Sequence, residues 1–134
     1  MLGKCAMVVE DYSIIAQAWG GILKKTEQFS GIHIFLDPMG LEEKVIELKP
    51  ALILMDINLP GIRTGIEITK ELILFNPELK IIILSMHNEA TYVKEAFAAG
   101  AVGYVTKSSR TSEIKDAVFK ALNNEVYLCR EMCA

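Results

Sequence analysis

The chain has 134 residues, 51% of them hydrophobic, with 14 basic against 17 acidic side chains and a net charge of −3. That length suits one domain of the usual roughly 100–150 residues, and at about this size close to two-thirds of the unfolded surface can be buried. The charge has the wrong sign for a domain that grips nucleic acid by neutralising phosphates, and no apolar run approaches the ~20 residues of a membrane helix.

Cys5 to Val9 is a short apolar run ended by Glu10 and Asp11, which reads as a first strand. Ile14, Ile15, Ala18, Trp19, Ile22 and Leu23 then recur at helical spacing, predicting a helix to about Lys25 with Ser13 as its N-cap. Ile32 to Leu36 is a second strand, and Asp37-Pro38 starts a helix carried by Leu41, Val45, Ile46 and Leu48 and stopped before Pro50. Leu52 to Met55 is a third apolar run, ending on Asp56 and turning at Asn58 and Pro60. The loop Pro60 to Gly65 leads to Ile68, Leu72 and Phe75, a third helix that stops before Pro77. Ile81 to Leu84, ending on Ser85, is a fourth strand, and Val93, Ala96 and Phe97 mark a helix terminated by Gly100. Ala101 to Thr106 is a fifth strand ending on Lys107, followed by a helix through Ile114, Ala117, Val118, Ala121 and Leu122 to Asn123 or Asn124.

Five strands alternating with five helices require crossover connections, a parallel sheet and helices on both faces. The expected fold is a flavodoxin-like doubly wound (βα)5 sandwich of strand order 2-1-3-4-5, whose switch point lies between strands one and three. Glu10, Asp11, Asp56, Ser85 and Lys107 then end their strands at one crevice. Three carboxylates together repel one another unless a cation intervenes, and a hard oxygen cluster suits Mg2+. A carboxylate screened in this way can act as a nucleophile toward phosphorus, which makes Asp56 the candidate acceptor. Ser85 could donate a hydrogen bond to a phosphoryl oxygen and Lys107 neutralise another. Each residue alone reads equally well as a helix start, a cap or a solvated side chain; the convergence of all five carries the argument.

The cysteines, Cys5, Cys129 and Cys133, form an odd set and read as free thiols. Cys129 and Cys133 supply only two potential zinc ligands, with His33 and His87 far away in sequence. Acids interrupt the first apolar run too early for a signal peptide, so a cytoplasmic location is expected.

VVEDYSII, LILMDINLPG, IIILSMH and GYVTK together resemble the receiver domains of two-component response regulators, from Lys4 to about Leu128. The resemblance implies that Asp56 is phosphorylated by a sensor histidine kinase. It implies Mg2+ among Glu10, Asp11, Asp56 and the backbone carbonyl of Asn58, with Ser85 and Lys107 holding the phosphoryl group. It makes Tyr104 the aromatic switch that, with Ser85, couples phosphorylation to the surface of helix four, strand five and helix five. That surface is the expected homodimer contact, with Tyr92, Tyr104 and Lys120 outside the core stripes. SMH, GYVTKSS and EVYL resemble the NarL/FixJ type, whose receivers precede a helix-turn-helix DNA-binding domain. Residues 1–134 are therefore expected to be a receiver that lacks this domain and binds no DNA alone. A stand-alone signalling receiver is the alternative.

Three departures from the pattern stand out: Glu10 where aspartate is commoner, a loop Pro60 to Gly65 one residue longer than usual, and Ser108 after Lys107 where many members have proline. The isomer of the Lys107–Ser108 bond is left open. Asn58 and His87, each two residues beyond Asp56 and Ser85, flank the line of attack and are expected to tune dephosphorylation. A haloacid-dehalogenase-type phosphatase would want a second aspartate where Asn58 stands, and a flavin phosphate would meet the acids Glu10 and Asp11.

Overall fold

The computed structural model describes residues 4–133. The strands are β1 (Ala6–Val9), β2 (Ile32–Phe35), β3 (Leu52–Asp56), β4 (Lys80–Ser85), β5 (Gly103–Thr106) and β6 (Tyr127–Leu128). The helices are α1 (Ser13–Lys25), α2 (Leu41–Leu48), α3 (Gly65–Phe75), α4 (Ala90–Ala98), α5 (Thr111–Leu122) and α6 (Arg130–Cys133). All pairings are parallel, in the order β2-β1-β3-β4-β5-β6. This is the doubly wound order expected, extended at one edge by β6. A two-residue strand leaves no periodicity to read; backbone bonds from Tyr127 N–H to the Val102 carbonyl (2.9 Å) and from Cys129 N–H to the Tyr104 carbonyl (3.0 Å) define it.

The central strands read as unbroken apolar runs because both faces are covered. Successive residues point to opposite sides, so Met7, Val9, Ile53, Met55, Ile81 and Ile83 pack under α2, α3 and α4. Ala6, Val8, Leu52, Leu54, Ile82 and Leu84 pack under α1 and α5, around Trp19, Leu23, Ala117 and Val118.

Local chemistry corrects two of the expectations. Ser13 is the first residue of α1 rather than its cap; Tyr12 holds that place without a side-chain cap. Instead, the Glu10 carboxylate accepts the Tyr12 N–H at 3.1 Å, so the acid shapes this turn. Tyr104 does not lie outside the core: it is fully buried on the α4 side of β5. Of its companions, Tyr92 is half-buried and packed on the same core, while Lys120 is exposed and pairs with Glu125 at 3.3 Å. Cys5 and Cys129 are buried free thiols, and the Cys133 side chain lies outside the described residues. Among the described residues no peptide bond is cis, so the Lys107–Ser108 bond is trans.

The long loop after β3 is fastened at both ends. Thr64 and Glu67 form a reciprocal capping box, Glu67 N–H to Thr64 Oγ1 at 3.2 Å and Thr64 N–H to Glu67 Oε1 at 2.8 Å. Gly65 is required next to it, since a Cβ there would overlap the Asp56 carbonyl oxygen and sit 3.0 Å from Ile57 Cα. Arg63 reaches Glu42 of α2 at 2.8 Å and also pairs with Glu71 of α3. This pairing holds the Glu42 carboxyl below the usual carboxylate range. Such a half-exposed pair contributes little, so Arg63→Ala should lower stability by about 0.5–1 kcal/mol at neutral pH. Because the folded-state acidity of Glu42 is raised, its contribution is present above the ordinary carboxyl value of about 4.3 and is lost as pH falls further. Urea unfolding of parent and variant at neutral and stepwise lower pH should show the gap closing; a constant gap would refute the clamp.

Candidate functional site

The reversal of winding between β1 and β3 opens a crevice at their carboxyl ends. Register lines up the strand ends: Val9 opposite Met55, Asp56 opposite Leu84, and Ser85 opposite Thr106. Glu10, Asp11 and Asp56 are thereby brought together, each offering one carboxylate oxygen, with all three within 4.8 Å of one another. Glu10 is fully buried, Asp56 nearly so, and Asp11 half-buried.

Lys107 is not the exposed strand-end lysine its position suggests. Its side chain is only 11% exposed, and Nζ lies 2.7 Å from Glu10 Oε1 and 3.2 Å from Asp56 Oδ1. Below it the Trp19 ring centroid is 5.3 Å away. A cation–π contact of this kind contributes about 0.5–1 kcal/mol, less than a charge-assisted hydrogen bond at about 1.5–3 kcal/mol. The acids therefore place the ammonium and Trp19 walls it in. Sequence periodicity assigned Trp19 to the core stripe of the first helix and offered no signal of this second contact.

Burial pushes both the Glu10 and the Asp56 carboxyl up from their ordinary values, against the opposing pull of Lys107. Burial pulls the Lys107 ammonium down, but Glu10 and Asp56 outweigh it and the net direction is up. One cation thus serves a pocket of three acids. Asp11 Oδ1 is buried and takes no hydrogen bond. An orphaned carboxylate oxygen beside two strained acids fits a hard divalent cation.

Around the rim, Ser85 Oγ accepts the His87 N–H at 2.9 Å, and the Tyr104 hydroxyl donates to the His87 carbonyl at 2.7 Å. Tyr104 consequently lies under the rim, not in the crevice. The Asn58 amide nitrogen lies 3.0 Å from His87 Nε2. His87 stacks on Tyr92, with centroids 4.1 Å apart and planes at 19°. The two flanking positions expected from spacing are therefore in direct contact with each other.

The chain matches the response regulator receiver domain family over residues 6–119 and belongs to it. It is 29% identical over 122 residues to the transcriptional regulatory protein DegU of Brevibacillus brevis, covering 91% of this chain and 51% of DegU. It is 28% identical over 125 residues to the response regulator GacA of Pseudomonas protegens, covering 91% and 57%. The chain thus spans about half the length of the curated relatives it matches. Among solved structures, a LuxR-family two-component response regulator from Aurantimonas sp. SI85-9A1 superposes with a TM-score of 0.89 at 27% identity, covering 96% of this chain and 91% of that one. The isolated receiver domain of RcsB from Salmonella enterica, solved with the phosphomimetic BeF3−, shares the fold, with a TM-score of 0.89 at 19% identity over 98% and 96% of the two chains. These relatives support the NarL/FixJ type.

Removing the ammonium would leave the buried Glu10 carboxylate without its partner. Lys107→Ala should therefore lower stability by about 1–3 kcal/mol in the presence of a chelator, and added Mg2+ should recover part of that loss. Thermal unfolding of parent and variant with and without Mg2+ measures both effects; a variant as stable as the parent in chelator would show that the ammonium is not what holds the acids together.

Proposed function

We propose that Asp56 is the phosphoacceptor of this receiver and that a sensor histidine kinase is its donor. The observation that carries this reading is the position of Asp56 at the end of a fully buried strand, beside two further acids and a lysine that can change partners. An Asp56 Oδ atom attacks phosphorus, a P–O bond forms as the P–N bond to the donor histidine breaks, and the leaving imidazole takes up a proton. Mg2+ held by Glu10, Asp11, Asp56 and the Asn58 backbone carbonyl would supply charge screening for the approaching phosphoryl group. Ser85 Oγ accepts from the His87 backbone, which leaves its own proton free to donate to a phosphoryl oxygen. Lys107, shared between Glu10 and Asp56, can turn its ammonium to a second oxygen without leaving the pocket.

The same reading makes residues 1–134 the receiver of a longer transcriptional regulator. Its partner domain would bind DNA, in keeping with the transcriptional role named for DegU and the partial coverage of both curated relatives. Phosphorylation would favour homodimerisation through α4, β5 and α5, with Lys120 on the exposed face and Tyr92 at its margin.

A small phosphodonor with Mg2+ should add one phosphoryl group per chain, detectable by intact mass, and Asp56→Asn should abolish it because an amide is a far weaker nucleophile. Undiminished labelling of that variant would sink the assignment. The acyl phosphate should decay at a rate set by the Asn58–His87 contact at its rim. Asn58→Ala and His87→Ala should each change the decay rate several-fold, with circular dichroism unaltered; parental rates in both would remove them from this role.

A further inference from the structure

Beyond α5 the chain turns back, adds β6 to the sheet edge and ends its described course in α6. Two acids fasten this segment. Glu113 Oε1, on α5, accepts the Tyr127 hydroxyl at 2.7 Å and the Arg130 N–H at 2.9 Å. This anchor rests on the first turn of a helix packed into the core. Glu131, on α6, makes a different set of contacts. Its Oε1 accepts the hydroxyls of Thr106 at 2.7 Å and Ser108 at 3.2 Å, and its Oε2 accepts the Asn88 amide at 3.3 Å. Thr106 above all, then Asn88, hold this carboxyl below its ordinary value, so it is charged near neutral pH.

The three donors lie next to the phosphoryl-binding groups: Asn88 on the β4–α4 loop, Thr106 at the end of β5 and Ser108 on the β5–α5 loop. Asn88 lies three residues after Ser85, and Thr106 and Ser108 flank Lys107 on either side. A single exposed carboxylate therefore bridges the β4–α4 loop and the end of β5 with its following loop, and it keeps all three hydrogen bonds only while their spacing is kept. Hydrogen bonds weaken steeply beyond about 3.5 Å, so a shift of about 1 Å in either loop breaks part of the set. With a phosphoryl group on Asp56, Ser85 and Lys107 would both turn to its oxygens, and that convergence would change the spacing.

We infer that β6–α6 is a phosphorylation-sensitive latch, with Glu131 as its positioning residue: it is docked while Asp56 is unmodified and released when the two loops close on a phosphoryl group. The inference rests on Asp56 being the acceptor. Released at Glu131, the segment loosens its backbone bonds to β5 and stays tethered through the Glu113 side chain. Coupling of this kind is reciprocal, so a broken latch should favour phosphorylation.

The test is amide exchange on the whole 134-residue chain, with and without beryllofluoride and Mg2+. The reporters are the N–H groups of Tyr127, Cys129 and Met132, bonded to the carbonyls of Val102, Tyr104 and Cys129 at 2.9, 3.0 and 3.0 Å. Beryllofluoride should speed their exchange at least several-fold while the β1 and β3 amides hold. Glu131→Ala should give that acceleration without beryllofluoride and should also take up phosphoryl groups from acetyl phosphate several-fold faster, which simple fraying of the segment would not do. Thr106→Val, which removes the shortest donor and leaves Glu131 in place, should act in the same direction on both readouts. Unchanged or slower reporter exchange in a chain that intact mass shows to be fully phosphorylated by acetyl phosphate overturns the latch alone. Absence of any adduct overturns the acceptor reading and takes the latch's trigger with it.

Discussion

The Lys107 ammonium, set between Glu10 and Asp56, is the interaction on which the rest of the site depends. Three carboxylates at the ends of two adjacent buried strands would force the crevice open if nothing opposed them. One ammonium opposes them incompletely, which is why burial still leaves Glu10 and Asp56 with raised affinities for a proton. The acids and their single cation sit on strands fixed by packing on two faces, so the pocket keeps its shape without being fully neutralised.

How much of this could be read from the chain divides along a physical line. The α/β alternation and the placing of Glu10, Asp11, Asp56 and Lys107 at strand ends were legible, because a buried parallel strand is a continuous apolar run and the polar residue ending it must lie at the sheet's rim; the strand order was chosen as the better of two common arrangements. Side-chain pairing between elements was not. Nothing at Glu10 foretells that a lysine 97 positions away will lie on it, and Ser13 reads as a cap only until the Glu10 carboxylate is seen to hold the turn. Tyr104 looked like a surface aromatic because one tyrosine in a short apolar strand has no period to assign it a face; the pleat puts it on the buried side. The Thr64-Glu67 capping box carried a readable signal, a threonine followed three residues later by glutamate, masked by the loop residues around it.

The rim is organised as a relay of backbone as much as of side chains. Ser85 Oγ takes the N–H of His87, and Tyr104 gives its hydroxyl to the carbonyl of the same residue. One residue of the β4–α4 loop thus touches both the hydroxyl that faces the crevice and the tyrosine that faces α4. Burial raises the Tyr104 hydroxyl above its ordinary value, so it stays a donor across the physiological range. His87 also meets Asn58 and stacks on Tyr92, which ties the loop after β3 to the first turns of α4.

Motion in such a molecule must therefore spare the central strands and fall on the loops and on the edge segment β6–α6. The six strands are hydrogen-bonded in register, and the residues of the four strands β1, β3, β4 and β5 are almost wholly buried, so a charge arriving at Asp56 cannot be accommodated by sliding strands against one another. The loop after β3 is clamped by Arg63, by the capping box and by the close approach of Gly65 to the Asp56 carbonyl. The β4–α4 and β5–α5 loops are held instead through side chains placed to exchange partners, among them His87, Asn88, Lys107 and Ser108. The longer loop next to the acceptor is thus tied down where it enters α3, and the two shorter loops carry the side chains placed to respond.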